Sequence, residues 1–190
     1  MFVFGHLGLG AAPGALAAKW WRNTADYGKR APDLRWYLTG ILLPDLVDKP
    51  VGQVLFKPYF ENGRIYCHTL LFTSSMLMMG IRRWRRRDDN RLLLMALGVV
   101  SHLVLDGIWH EPATVMWPLL GPFERYHSLK GVLGQIVESL RDPSFWAEEM
   151  GGLVMLLLAL RALGVQGCGD LKAFLLHGLS PSLVPSGADH

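Results

Sequence analysis

The stretch 98–121, GVVSHLVLDGIWHEPATVMWPLLG, limits the possible folds more than any other part of this chain. It is almost wholly apolar, yet it carries His102, Asp106 and His110 at steps of four. On an α-helix those steps stack three side chains along one face. Burying an imidazole and a carboxylate among Val, Leu and Ile is costly unless each finds a partner. Two solutions are open at this point. His102 and Asp106 can satisfy each other inside a helical core. Or they can share a divalent cation, since zinc, manganese and iron all accept His and Asp ligands.

The surroundings favour helices in or against a membrane. Apolar residues make up 51% and charged residues 18% of the 190, against about a quarter charged in ordinary soluble domains. The length suits one domain: a helical body over 1–165, then a short helix and disordered tail over 166–190. Cys67 and Cys168 form neither a disulfide framework nor a CxxC zinc site. No signal peptide is expected, because the first apolar run lacks a basic leader and contains His6. Six arginines crowd into IRRWRRRDDNR, at Arg82, Arg83, Arg85, Arg86, Arg87 and Arg91. Nothing extends them into a basic face for nucleic acid, so none is expected as a partner. A cytoplasmic connector between two membrane segments accounts for them better.

No segment alternates with period two, so strands are not expected. The spacing predicts a close-packed helix over 2–18 kinked at Pro13, and a polar, Trp-rich connector over 19–30. A second helix is predicted over 33–47, broken at Pro44 so that Asp45 projects from a turn. Residues 48–64 read as loop with one short helical piece, and 65–81 as an apolar run of one membrane thickness. After the arginines come the apolar helix ending near His110, an amphipathic helix in 124–142, and an apolar helix over 144–164 capped by Ser144. Five or six helices are expected, three of them long and apolar enough to span a bilayer.

His6, Asp45, Asp48, His68, His102, Asp106 and His110 are all set in apolar surroundings and come from four segments. Taken singly, each has an ordinary explanation as a satisfied core histidine or a capping aspartate. Together they suffice for one or two divalent ions between facing helices. Such ions activate water and clamp the oxygens of a phosphoester, with a carboxylate at the mouth as general base. Ser101 and Cys67 directly precede His102 and His68 and so point to other faces; no G-x-S-x-G motif or phosphate-cradling glycine loop is present.

The blocks GHLGLG at 5–10, LLPDLVDKP at 42–50, CHTLLF at 67–72 and GVVSHLVLD at 98–106, with Trp117–Pro118 beyond, carry a resemblance. In that order and spacing the chain resembles the inner-membrane-bound, metal-dependent hydrolase family of YdjM-like proteins, itself similar to zinc-dependent phospholipase C. The resemblance implies metal ligands at His6, Asp45, His68, His102 and Asp106, with Asp45 as bridging ligand or catalytic base. The chain departs from the family pattern at Gly63, where a histidine is frequent, at Cys67, which replaces threonine, and in the wider Asp45–Asp48 spacing. It also lacks the late His-x-x-x-Glu pair of the phospholipases. His110 or Glu111 is then the candidate substitute ligand.

The expectation is an all-α, multi-helix bundle, membrane-embedded or membrane-associated, with a metal site between helices. Its function would be that of an inner-membrane hydrolase holding one or two divalent ions, zinc first. The substrate would be an ester, foremost a phosphoester, of a small molecule or a membrane lipid. A non-enzymatic membrane protein with structural polar contacts, or a metal or proton transporter, are the alternatives.

Overall fold

The computed structural model describes residues 3–22, 32–125 and 131–178. Among these the chain is all-α, with no strand. Seven helices of ten residues or more run in the order α1 (Val3–Arg22), α2 (Leu34–Pro50), α3 (Leu70–Arg87), α4 (Arg91–Leu105), α5 (Gly131–Arg141), α6 (Pro143–Ala162) and α7 (Cys168–His177). Four-residue helical turns at Lys57–Phe60 and Pro112–Val115 interrupt the two long loops. The disordered tail expected at the end of the chain falls, beyond residue 178, outside the described residues.

Both prolines predicted to break helices are absorbed. α1 continues through Pro13 and takes in Trp20, so the expected connector starts later than its composition implies. α2 continues through Pro44 to Pro50, and Asp45 therefore sits within a helix rather than on a turn. A proline removes one i→i−4 bond and crowds the carbonyl four residues back, here that of Gly40. Gly40 and Pro44 are both buried, in a helix pressed against α4. Tertiary packing outweighs the one lost bond.

Two helix ends are also displaced from expectation. Residues 65–81 do not form one apolar rod, because Tyr66–His68 is a separate 3-10 turn and α3 begins only at Leu70, capped by the Thr69 hydroxyl. The arginines at 82–87 are the last turns of α3, and only residues 88–90 link it to α4. At α6 the cap is Asp142, whose carboxylate accepts the Ser144 N–H at 2.9 Å, rather than Ser144 itself.

Among the described residues, α6 alone is long and apolar enough to cross a membrane by length and composition, where three such segments were expected. α4 is apolar but only 15 residues long. Many large apolar side chains nevertheless face outward, Leu16, Leu97, Val154, Leu157 and Leu158 among them.

The body is held by close helix crossings. α1 packs on α6, α2 on α4, and α3 on α4. A Cβ at Gly40 would collide with the Met95 carbonyl and one at Gly98 with the Tyr37 carbonyl, so α2 and α4 touch backbone to backbone. Gly8 and Gly152 make the same kind of reciprocal contact between α1 and α6. The Tyr37 hydroxyl donates to the Gly10 carbonyl at 2.9 Å and meets the Ser101 hydroxyl at 2.8 Å, tying α1, α2 and α4 together. These crossings bring the start of α1 and the ends of α2 and α4 to one end of the bundle.

Candidate metal centre

His6 lies in the first turn of α1, Asp45 and Asp48 in the last turns of α2, and His68 in the 3-10 turn before α3. His102 is in the last turn of α4, and Asp106 caps that helix. His6, Asp48, His68 and His102 are at most 1% exposed. The start of α1 is fixed from outside: the buried Glu149 of α6 accepts the N–H groups of Phe4 at 2.9 Å and Gly5 at 3.1 Å. Those donors have no intrahelical acceptor, so Glu149 both satisfies them and suits the positive end of the helix.

The His68 and His102 Nε2 atoms face each other at 3.2 Å. Asp45 Oδ1 stands 3.9 Å from both of these nitrogens. Asp106 Oδ2 is 3.8 Å from His68 Nε2 and 3.7 Å from His102 Nε2. On the far side of Asp106, Oδ1 is 2.8 Å from His6 Nε2, and the His6 ring stacks on that of His102 at 4.3 Å. Two overlapping groups therefore have ligand atoms close enough for one ion each: His6, His102 and Asp106, and Asp45, His68 and His102.

Asp48 has a different place from its α2 neighbour. It is fully buried and accepts the N–H groups of Ile65 at 2.9 Å and Cys67 at 3.0 Å, together with His68 Nδ1 at 2.7 Å. Because the carboxylate only accepts, it places the imidazole proton on Nδ1 and leaves the Nε2 lone pair of His68 facing the cluster. A carboxylate behind a histidine is the usual support of a metal-ligating imidazole. His110 is not brought in. The left-handed Gly107 (φ 60°) ends α4, and His110 sits in the next turn, exposed, accepting the Trp109 indole N–H at 2.9 Å. The stack of three along one helix face thus stops at Asp106.

Three charged groups around the cluster carried no distinguishing sequence signal: Arg64, Lys49 and Glu149. Each reads as an ordinary loop or helix-surface residue, and only the fold aims it inward. Arg64 Nε donates to Asp106 Oδ2 at 3.0 Å and Nη1 to Glu111 Oε1. Lys49 Nζ pairs with Asp45 Oδ2 at 2.5 Å. Burial works against the Arg64 charge, but Asp106 and Glu111 outweigh it and raise its pKa. Burial likewise opposes ionisation of Asp106, but the His6 hydrogen bond and the Arg64 charge hold it well below the usual carboxylate range. Cys67 is pushed up to about 12 by burial and by Asp48, which leaves its thiol inert at neutral pH.

The donor set fits a divalent ion. Two nitrogens on one tetrahedral zinc, at about 2.0–2.1 Å each, lie about 3.3 Å apart. The His68–His102 separation of 3.2 Å matches that edge, and the carboxylate oxygens stand about half an ångström further out. The charges agree. Four carboxylates, Asp45, Asp48, Asp106 and Glu111, stand around the imidazoles against two cations, Lys49 and Arg64, an acidic excess suited to a divalent ion.

The family model described as YdjM inner membrane protein matches residues 1–172. No curated protein and no solved structure matches the chain.

Proposed function

From membership of the YdjM inner membrane protein family, to which this chain belongs, and from its cluster geometry, we propose a membrane-bound metal-dependent hydrolase acting on a phosphoester. The observation that carries the reading is the 3.2 Å approach of two buried imidazole nitrogens with two aspartate oxygens within 4 Å of them. Asp48 turns the His68 Nε2 lone pair into the cluster, and a cation shared with His102 Nε2 would satisfy both nitrogens in a site that is otherwise apolar.

Asp45, His68, His102 and Asp106 would hold one divalent ion, zinc first by its preference for mixed imidazole and carboxylate sites. A single ion also offsets the acidic excess of the cluster. Such an ion lowers the pKa of a water near neutrality and stabilises charge on phosphoryl oxygens. Asp48 keeps the His68 ring in register, and His6 holds Asp106 by its second oxygen. Asp45, whose side chain is 18% exposed against 6% for Asp106, is the more accessible of the two ligand carboxylates and would take the proton of the attacking water.

Purified protein is expected to carry about one equivalent of zinc by elemental analysis. His102→Ala and Asp106→Ala should each abolish it, together with hydrolysis of bis(p-nitrophenyl) phosphate. Metal-free protein of undiminished thermal stability would defeat the proposal and leave the cluster as a structural polar network.

A further inference from the structure

Arg64 has no part in holding an ion, yet it stands against the ligand set. Its side chain is 35% exposed, and its guanidinium spans Asp106 and Glu111. Among the described residues only Nε and Nη1 have partners, and the Nη2 group has none. The residue is held at its backbone as well. The Arg64 N–H donates to Asn62 Oδ1 at 2.8 Å, and the buried Asn62 side chain donates in turn to the Glu124 carbonyl at 2.9 Å. A Cβ at Gly52 would strike the Asn62 carbonyl, so the loop lies directly against the turn that follows α2. This is an arginine fixed in place with part of its donor fork unspent.

We propose that Arg64, set between Asp106 and Glu111 at the half-open side of the cluster, anchors the anionic oxygens of a phosphate-bearing ligand beside the metal ligands. A planar guanidinium offers paired N–H donors that match two oxygens of one phosphate, which a carbonyl ester lacks. The assignment rests on the hydrolase reading above and narrows it to anionic phosphoesters. The loops that carry Arg64 and Glu111 also expose Phe56, Tyr59, Tyr66, Trp109 and Leu119. A phosphate in a lipid headgroup and one on a soluble ester would use the same anchor, so the test separates them.

The probe is inorganic phosphate, titrated calorimetrically into the full-length, zinc-loaded protein in dodecyl maltoside. Arg64→Gln should weaken binding about ten- to hundredfold, the size of a lost charge-assisted contact. Arg64→Lys should fall between the two. Glu111→Gln removes one competitor for the guanidinium and should tighten binding about two- to fivefold. A purely structural Arg64 would instead leave phosphate affinity unmoved in both variants at equal zinc content. Micelles doped with phosphatidic acid, against micelles doped with diacylglycerol, distinguish the sources. Arg64-dependent retention on the former identifies a headgroup; an Arg64-dependent phosphate response without it identifies a soluble ester. Unchanged phosphate affinity in Arg64→Gln at wild-type zinc content and melting temperature, or weakened affinity in Glu111→Gln, overturns the anchor alone. Wild-type protein that holds no zinc overturns the hydrolase reading and the anchor with it.

Discussion

At the scale of single residues, Asp48 separates support from ligation. Its carboxylate collects two backbone N–H groups and the His68 Nδ1 proton in a site with no exposure. Asp48→Asn turns one acceptor oxygen into a donor facing those N–H groups. The variant should lose about 1–3 kcal/mol of stability and bind zinc about 10–100-fold more weakly. Thermal unfolding and a zinc competition titration read the two effects separately. The two cysteines give a second check. Cys67 is buried with its pKa raised, so it stays a protonated thiol at neutral pH, while Cys168 is exposed. Maleimide should label one cysteine in the native protein and two after denaturation. The sequence marks Asp48 as an acid in greasy surroundings, and no more than that. Whether it faces an ion or a histidine's far side depends on a loop seventeen or more residues away folding back over it.

At the scale of elements, helix contact through glycine decides where the cluster's histidines and aspartates end up. Gly40 on α2 and Gly98 on α4 meet the opposing backbone, and both lie within eight residues of an aspartate or histidine of the buried cluster. Small residues at such crossings let helices approach when lipid offers no competing drive to bury large ones. Gly98→Ala has to push α4 off α2 and should cost about 1–3 kcal/mol. Because α4 carries His102, zinc content should fall in the same variant, measured beside its melting temperature. The gain of glycine and alanine in the first helix was legible as a sign of close packing; its partner, α6, was not. Prolines misled for a related reason. Pro44 is a local breaker, but its helix is held by a neighbour, so local propensity lost to packing.

At the scale of the whole molecule, the family is that of an inner membrane protein, and the outward faces agree with it. Leu16, Leu97, Val154 and Leu157 are exposed on helices whose opposite faces form the core. Extraction from membranes should therefore require detergent, and high salt alone should leave the protein in the pellet. The cluster joins α1, α2, α4 and the loop before α3, so an ion there would bind the folded state and not the unfolded chain. Chelation should lower the melting temperature, and re-added zinc should restore it; at a hundredfold excess over Kd the linkage is about 2.7 kcal/mol.

What the sequence determined alone is the material: helices throughout, an apolar exterior, and imidazoles and carboxylates placed where apolar surroundings make them expensive. The 3.6-residue period and the cost of bare charge are local properties, readable from neighbours along the chain. Only the tertiary structure decided which of those groups meet. Gly107 turns the chain so that His110 leaves the face His102 and Asp106 share, the loop before α3 sets Arg64 against Asp106, and glycine crossings bring α1, α2 and α4 to one end. Those outcomes depend on atoms far apart in sequence coming within a few ångströms, and no local pattern encodes that distance.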